Sequence, residues 1–95
     1  MFDKKTILIT GGTGSFGKRF ISTLLKKYDP IKIIIYSRDE LKQFEMQTSE
    51  ELSSLNLNNK LRYFIGDVRD YKRLKMAMED VDYVVHAGAL KQVPT

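Results

Sequence analysis

Residues able to do chemistry gather at three places in this chain of 95 residues. The first is Gly11-Gly12-Thr13-Gly14-Ser15-Phe16-Gly17, directly after the run Thr6-Ile7-Leu8-Ile9-Thr10 with its apolar centre. Glycines leave main-chain N–H groups open, and Thr13 and Ser15 add hydroxyl donors, so the stretch is equipped to receive a pyrophosphate. Two frames overlap in it: Gly11, Gly14 and Gly17 keep G-x-x-G-x-x-G, while Gly12, Gly14 and Gly17 keep G-x-G-x-x-G. Spacing alone does not say which glycine does what. The expected roles are a sharp strand exit at Gly11, close approach of phosphate at Gly14, and a helix laid against a sheet at Gly17.

The second place is Ser37-Arg38-Asp39 and the third is Gly66-Asp67-Val68. In NAD sites a carboxylate about twenty residues after the glycines binds the ribose 2′-hydroxyl. Here a serine and an arginine stand at that tip, and a guanidinium fork suits a 2′-phosphate, so the residues favour NADP over NAD. Asp39 could reach the ribose or simply cap the next helix. Asp67 could accept from an adenine amino group, with Val68 over the ring, or cap a turn. His86, the only histidine, is expected to be packed or hydrogen-bonded at a strand end and not to act as a general base. Ala87-Gly88-Ala89 is small enough for a strand tip beneath a dinucleotide. No nucleophile–base pair, carboxylate pair or metal-ligand cluster can be assembled, so no catalytic residue and no metal is assigned.

These residues need strands and helices to bring them to one rim. Phe20, Ile21, Leu24 and Tyr28 fall on one helical face, and Asp29-Pro30 ends that helix. Ile33-Ile34-Ile35-Tyr36 reads as a parallel strand buried on both faces. A second helix over Asp39–Met46 would offer Leu41, Phe44 and Met46 as its apolar side, with residues 48–59 a fraying helix and a turn. Leu61–Ile65 is a third strand ended by Gly66. Asp70 caps a third helix with Leu74, Ala77, Met78 and Val81 inward. Tyr83-Val84-Val85 is a fourth strand. The order β-α-β-α-β-α-β, with right-handed crossovers, predicts an α/β fold with strands 3-2-1-4. That is the first half of a Rossmann-type doubly wound parallel sheet, and it fills residues 1–95 as a partial NAD(P)-binding domain. The first two helices should share one face, leaving the third for the other.

Composition narrows the class further. Apolar content of 42%, charge of 29% and an absence of cysteine describe an ordinary globular chain with neither a disulfide framework nor a thiolate metal site. The net charge of +4 is spread through helices and forms no nucleic-acid arm. No apolar run is long enough for a membrane span, and Met1-Phe2-Asp3-Lys4-Lys5 is not organised as a signal peptide. Cytoplasmic location and no nucleic-acid or membrane partner are the expectations.

Three stretches together carry a more specific likeness: GGTGSFGK at 11–18, YSRDELKQ at 36–43, and GDVRD at 66–70 followed by HAGALKQVP at 86–94. They resemble the extended short-chain dehydrogenase/reductase family, and within it the UDP-N-acetylglucosamine 4,6-dehydratases that invert C5, enzymes of polysaccharide and flagellin-sugar synthesis. The resemblance places Thr13, Gly14, Ser15 and Phe16 at the pyrophosphate. It sets Ser37, Arg38, Asp39, Glu40, Leu41 and Lys42 around the adenosine phosphate, and Asp67 and Val68 at the adenine. Ala87, Gly88 and Lys91 would lie beside the nicotinamide ribose and the approach to the sugar. Gly88 departs from the alanine usual in the family. The implied reaction is a redox-neutral lyase cycle: hydride leaves sugar C4, water is eliminated across C5 and C6, and hydride returns to C6. The implied partners are NADP, a UDP-sugar substrate and further copies of the enzyme. The family's Tyr-x-x-x-Lys motif would follow Thr95, so the expectation is a segment truncated before the catalytic half. On its own such a segment should be inactive and marginally folded. The competing reading is a nucleotide-binding module without catalysis.

Overall fold

The computed structural model describes residues 1–56 and 58–87. Its elements run β1 (Thr6–Thr10), α1 (Ser15–Lys27), β2 (Lys32–Ser37), α2 (Glu40–Gln47), α3 (Glu50–Leu55), β3 (Leu61–Ile65), α4 (Tyr71–Ala77) and β4 (Tyr83–His86). The four strands form one parallel sheet in the order β3-β2-β1-β4, as the crossover rule predicts. β1 is buried at every position and β2 at all four of Ile33, Ile34, Ile35 and Tyr36. Such continuous β-branched runs suit a sheet covered on both faces.

Strand alternation sorts the core into two layers. Ile7, Ile9, Ile33 and Ile35 pack with Ile21 and Leu24 of α1, Met46 of α2 and Leu52 of α3. Leu8, Ile34 and Tyr36 point the other way, toward Ala77 and Leu74 of α4. The helices before β3 thus cover one face and α4 the other. Each fully buried Ile or Leu contributes about 1.5–3 kcal/mol, so β1 and β2 anchor the domain. Phe2 joins the first layer from the N-terminus, edge-on to Phe20, Tyr28 and Tyr83 at 5.9, 5.4 and 5.6 Å. At the start of β4, Asp82 exchanges bonds with Thr6: its N–H donates to the Thr6 carbonyl and its carboxylate accepts the Thr6 N–H, both at 2.8 Å.

The helices depart from the sequence reading in three places. Leu41 and Phe44 are exposed, 67% and 60%, and the inward side of α2 is Gln43 with Met46. The expected apolar side is rotated because its inner position faces strand ends, where the Ser37 and Phe64 carbonyls accept from the Gln43 amide. The polar stretch after α2 is a separate helix, since Ser49 accepts the N–H of Leu52 and caps α3. Asp70 does cap α4 through Arg73 N–H, but that helix ends at Ala77. Val81 therefore packs from the loop beyond it, and Met78, expected inward, is exposed, 40%. Among the described residues no helix is long and apolar enough to cross a membrane.

Candidate functional site

Register builds the site. Thr10 pairs with Tyr36 and His86, and Ser37 pairs with Ile65. The parallel strands therefore end together, and Gly11, Arg38, Gly66 and Ala87 follow at one rim. A cleft of about 440 Å³ opens there, lined by Gly11, Ser37, Arg38, Asp39, Asp67 and Val68 among others. Larger hollows lie elsewhere, about 570 Å³ beside the start of β3, about 700 Å³ along α4 and about 480 Å³ between α2 and β3. None of the three includes a residue of the glycine turn, and the last reaches a strand tip only at Ile65.

The turn divides the glycine tasks between the two frames. Gly11 has φ 70°, a left-handed conformation that other residues adopt at a cost. Gly17 is needed for contact with the turn itself: a Cβ there would lie 2.4 Å from Gly12 Cα and 2.5 Å from Gly12 O. The expected contact of Gly17 with the sheet is thus a contact with Gly12, where an added Cβ would in turn lie 3.2 Å from Ile9 and 3.4 Å from Ile35. Gly14 is the N-cap of α1, with no side-chain cap and no acidic residue in the first turn. The first N–H groups of that helix are accordingly left for an outside acceptor, at the positive end of its dipole. Thr13 is buried, and Ser15 and Phe16 stand exposed at the helix start. Phe16 stacks on Phe20 at 6.2 Å.

The opposite wall is made of side chains. Asp67 takes Arg69 through two contacts, Nε to Oδ1 at 3.2 Å and Nη2 to Oδ2 at 2.9 Å, and also accepts the Arg69 N–H. These bonds hold its carboxyl well below the usual carboxylate range. Arg38 reaches the same carboxylate only once, at 3.4 Å, with its side chain 71% exposed. Because Arg69 already satisfies Asp67, Arg38 can turn to another anion at little cost. Asp39 caps α2 by accepting the Lys42 N–H at 3.0 Å. Asp67 likewise closes its own turn, so both open alternatives show their capping roles here. Glu40, Leu41 and Lys42 are exposed on the first turn of α2, with Leu41 facing away from the cleft.

Support comes from residues that spacing did not reveal. Tyr36, fully buried, donates its hydroxyl to the Asp67 carbonyl at 2.9 Å. Burial, then the charge of Asp70, pushes its phenol pKa up, so it stays a donor. Gly66 leaves the room this needs, since a Cβ there would stand 2.4 Å from the Tyr36 hydroxyl. Arg73 donates to the Ile65 carbonyl at 2.8 Å and lies over the Phe64 ring at 4.4 Å. Gln43 bonds Ser37 and Phe64 from α2. On the β4 side, Thr10 Oγ1 and His86 Nδ1 are 2.8 Å apart, and buried Ala87 donates its N–H to the Thr10 carbonyl. His86 is hydrogen-bonded, as expected. Gly88 and Lys91 lie outside the described residues.

A four-stranded 3-2-1-4 parallel sheet with a glycine turn opening its first long helix defines a Rossmann-type α/β unit. The chain belongs to the family of polysaccharide biosynthesis proteins, whose profile matches residues 7–95. It is 64% identical to the UDP-N-acetylglucosamine 4,6-dehydratase (inverting) of Campylobacter jejuni subsp. jejuni serotype O:23/36 (strain 81-176), over 99% of this chain and 26% of that protein. It is 55% identical to the UDP-glucose 4-epimerase of Rickettsia bellii (strain OSU 85-389), over all of this chain and 27% of that protein. The chain thus spans about a quarter of the length of the curated relatives it matches. Among solved structures it resembles a short-chain dehydrogenase/reductase of Veillonella parvula DSM 2008 in complex with NADP. That likeness has a TM-score of 0.65 at 21% identity, covering 86% of this chain and 34% of the other, and it supports the fold.

Proposed function

We propose that the chain forms the NADP-binding part of an inverting UDP-N-acetylglucosamine 4,6-dehydratase working in the cytoplasm on surface-glycan or flagellin sugars. The observation that carries this reading is the 64% identity over 94 residues with the Campylobacter dehydratase. The rim fits a dinucleotide phosphate: an uncapped helix start at Gly14 on one side, and Ser37 with a weakly held Arg38 on the other. In the assignment we favour, Gly11, Thr13, Gly14, Ser15 and Phe16 receive the pyrophosphate. Ser37 and Arg38 receive the 2′-phosphate, and Val68, 52% exposed, covers the adenine. Asp67 holds its turn through Arg69 and leaves Arg38 for the ligand. When bound, NADP would supply the reversible hydride acceptor. The chain's own part is to bind and orient.

The Rickettsia relatives support a second reading, a UDP-sugar 4-epimerase, at 55% identity or less. One assay separates the two. The intact protein is incubated with NADP and either UDP-N-acetylglucosamine or UDP-glucose, and products are read by mass spectrometry and NMR. The proposal expects loss of one water from UDP-N-acetylglucosamine with inversion at C5. A C4-inverted product of unchanged mass would favour the epimerase. Turnover of neither substrate would leave a nucleotide-binding module.

A further inference from the structure

The side chain of Gln43 is buried, with 2% of the residue exposed, on the inward side of α2. Its amide nitrogen lies 2.8 Å from Ser37 Oγ, 3.3 Å from the Ser37 carbonyl and 3.2 Å from the Phe64 carbonyl. Two of these three neighbours are main-chain oxygens, which can only accept. The amide must therefore present NH₂ to this corner, because the flipped form would set its oxygen against two carbonyls. With the amide so fixed, Ser37 Oγ is the acceptor in its 2.8 Å bond. The serine's own proton has to go elsewhere. Among the described residues no acceptor takes it, and Ser37 borders the cleft beside Arg38.

We infer that Gln43 is a positioning residue which locks the Ser37 hydroxyl as a hydrogen-bond donor toward a phosphate monoester in this cleft. The inference rests on the NADP reading and adds to it the side chain that sets serine's polarity. A phosphate dianion offers only acceptors, so a serine free to rotate would spend part of its time presenting a lone pair to it. A serine whose oxygen already accepts the Gln43 N–H from behind has its proton left to turn toward the phosphate. The arrangement also explains why the inward position of α2 is glutamine while Leu41 and Phe44 stay outside.

The test uses the intact protein and two probes, 2′,5′-ADP, which carries the extra phosphate, and ADP, which lacks it. Calorimetric titration gives the preference of wild type, Gln43→Met, Ser37→Ala, Ser37→Thr and the Gln43→Met/Ser37→Ala double variant. Thermal unfolding confirms that each is folded. Wild type should prefer 2′,5′-ADP, and Gln43→Met and Ser37→Ala should each reduce that preference about tenfold, as loss of one bond to a charged group would. ADP binding should stay unchanged. The double variant should be no worse than Ser37→Ala alone, and Ser37→Thr should retain the preference. If Gln43→Met does not fold, Gln43→Asn, which withdraws the amide by one methylene, carries the same comparison. Equal weakening of both probes, or additive losses in the double variant, would overturn the inference while leaving the NADP reading intact. A wild type with no preference would overturn both.

Discussion

The two walls of the rim are built on opposite plans. The glycine turn is a main-chain device: Gly11 bends, Gly12 and Gly17 touch backbone to backbone, and the start of α1 keeps its N–H groups free of any side-chain cap. The wall at β2 and β3 is a side-chain device in which nearly every polar group already has a partner. Gln43 holds Ser37, Tyr36 holds the Asp67 carbonyl, and Arg69 holds the Asp67 carboxylate. The first wall offers unspent donors to any phosphate. The second is arranged in advance for one shape, with Arg38 as its loosely committed member. General affinity should thus reside in the turn and discrimination in the strand tips.

The strongest way to break this division is Gly17→Ala. Its methyl would meet Gly12 main chain at 2.4 Å, and main chain cannot swing aside as a flexible side chain can. Destabilisation near the upper end of ordinary overpacking is expected, about 3 kcal/mol. Thermal unfolding checks it, and NADP and NAD binding should fall together. An unchanged midpoint would show that helix and turn separate easily. Next in size is Arg38→Ala, which should weaken NADP by about 1.5–3 kcal/mol, the worth of one charge-assisted bond, and NAD far less. Equal losses for both cofactors would remove Arg38 from the discriminating wall.

The smallest effect concerns Asp67→Asn. The Asp67 carboxyl is depressed chiefly by its bonds from Arg69. A depressed carboxyl adds stability above its unfolded value, near 3.8, and loses it as pH falls through the lower folded value. Wild type should therefore be slightly more stable than Asp67→Asn at neutral pH. The gap should hold to about pH 5 and close only in strong acid. Melting curves across pH would show it. A gap that closes near neutrality would mean that Asp67 is not held by its arginines.

The same contrast governs what could be read from sequence. Strand order and the glycine turn were legible because β-branched runs and glycine spacing are themselves the structure of β1, β2 and the turn. The side-chain wall was legible only in its members at the strand tips, Ser37, Arg38 and Asp67. Their partners come from elsewhere: Gln43 reaches Phe64 across 21 positions, and Tyr36 reaches Asp67 across 31. Gln43 was hidden because apolar Leu41 and Phe44 suggested a different inner face. The one local signal was its i, i+3 spacing to Met46, which is buried. Arg69 was nearer to hand, two residues past Asp67 at a turn, where a carboxylate–guanidinium contact is geometrically easy.

The most direct measurement of the central claim is a paired titration of NADP and NAD against the intact protein at one fixed salt concentration. The account predicts that NADP binds more tightly by a factor of about ten or more, the worth of one charged hydrogen bond at the strand tip. Equal affinities, or tighter binding of NAD, would contradict it.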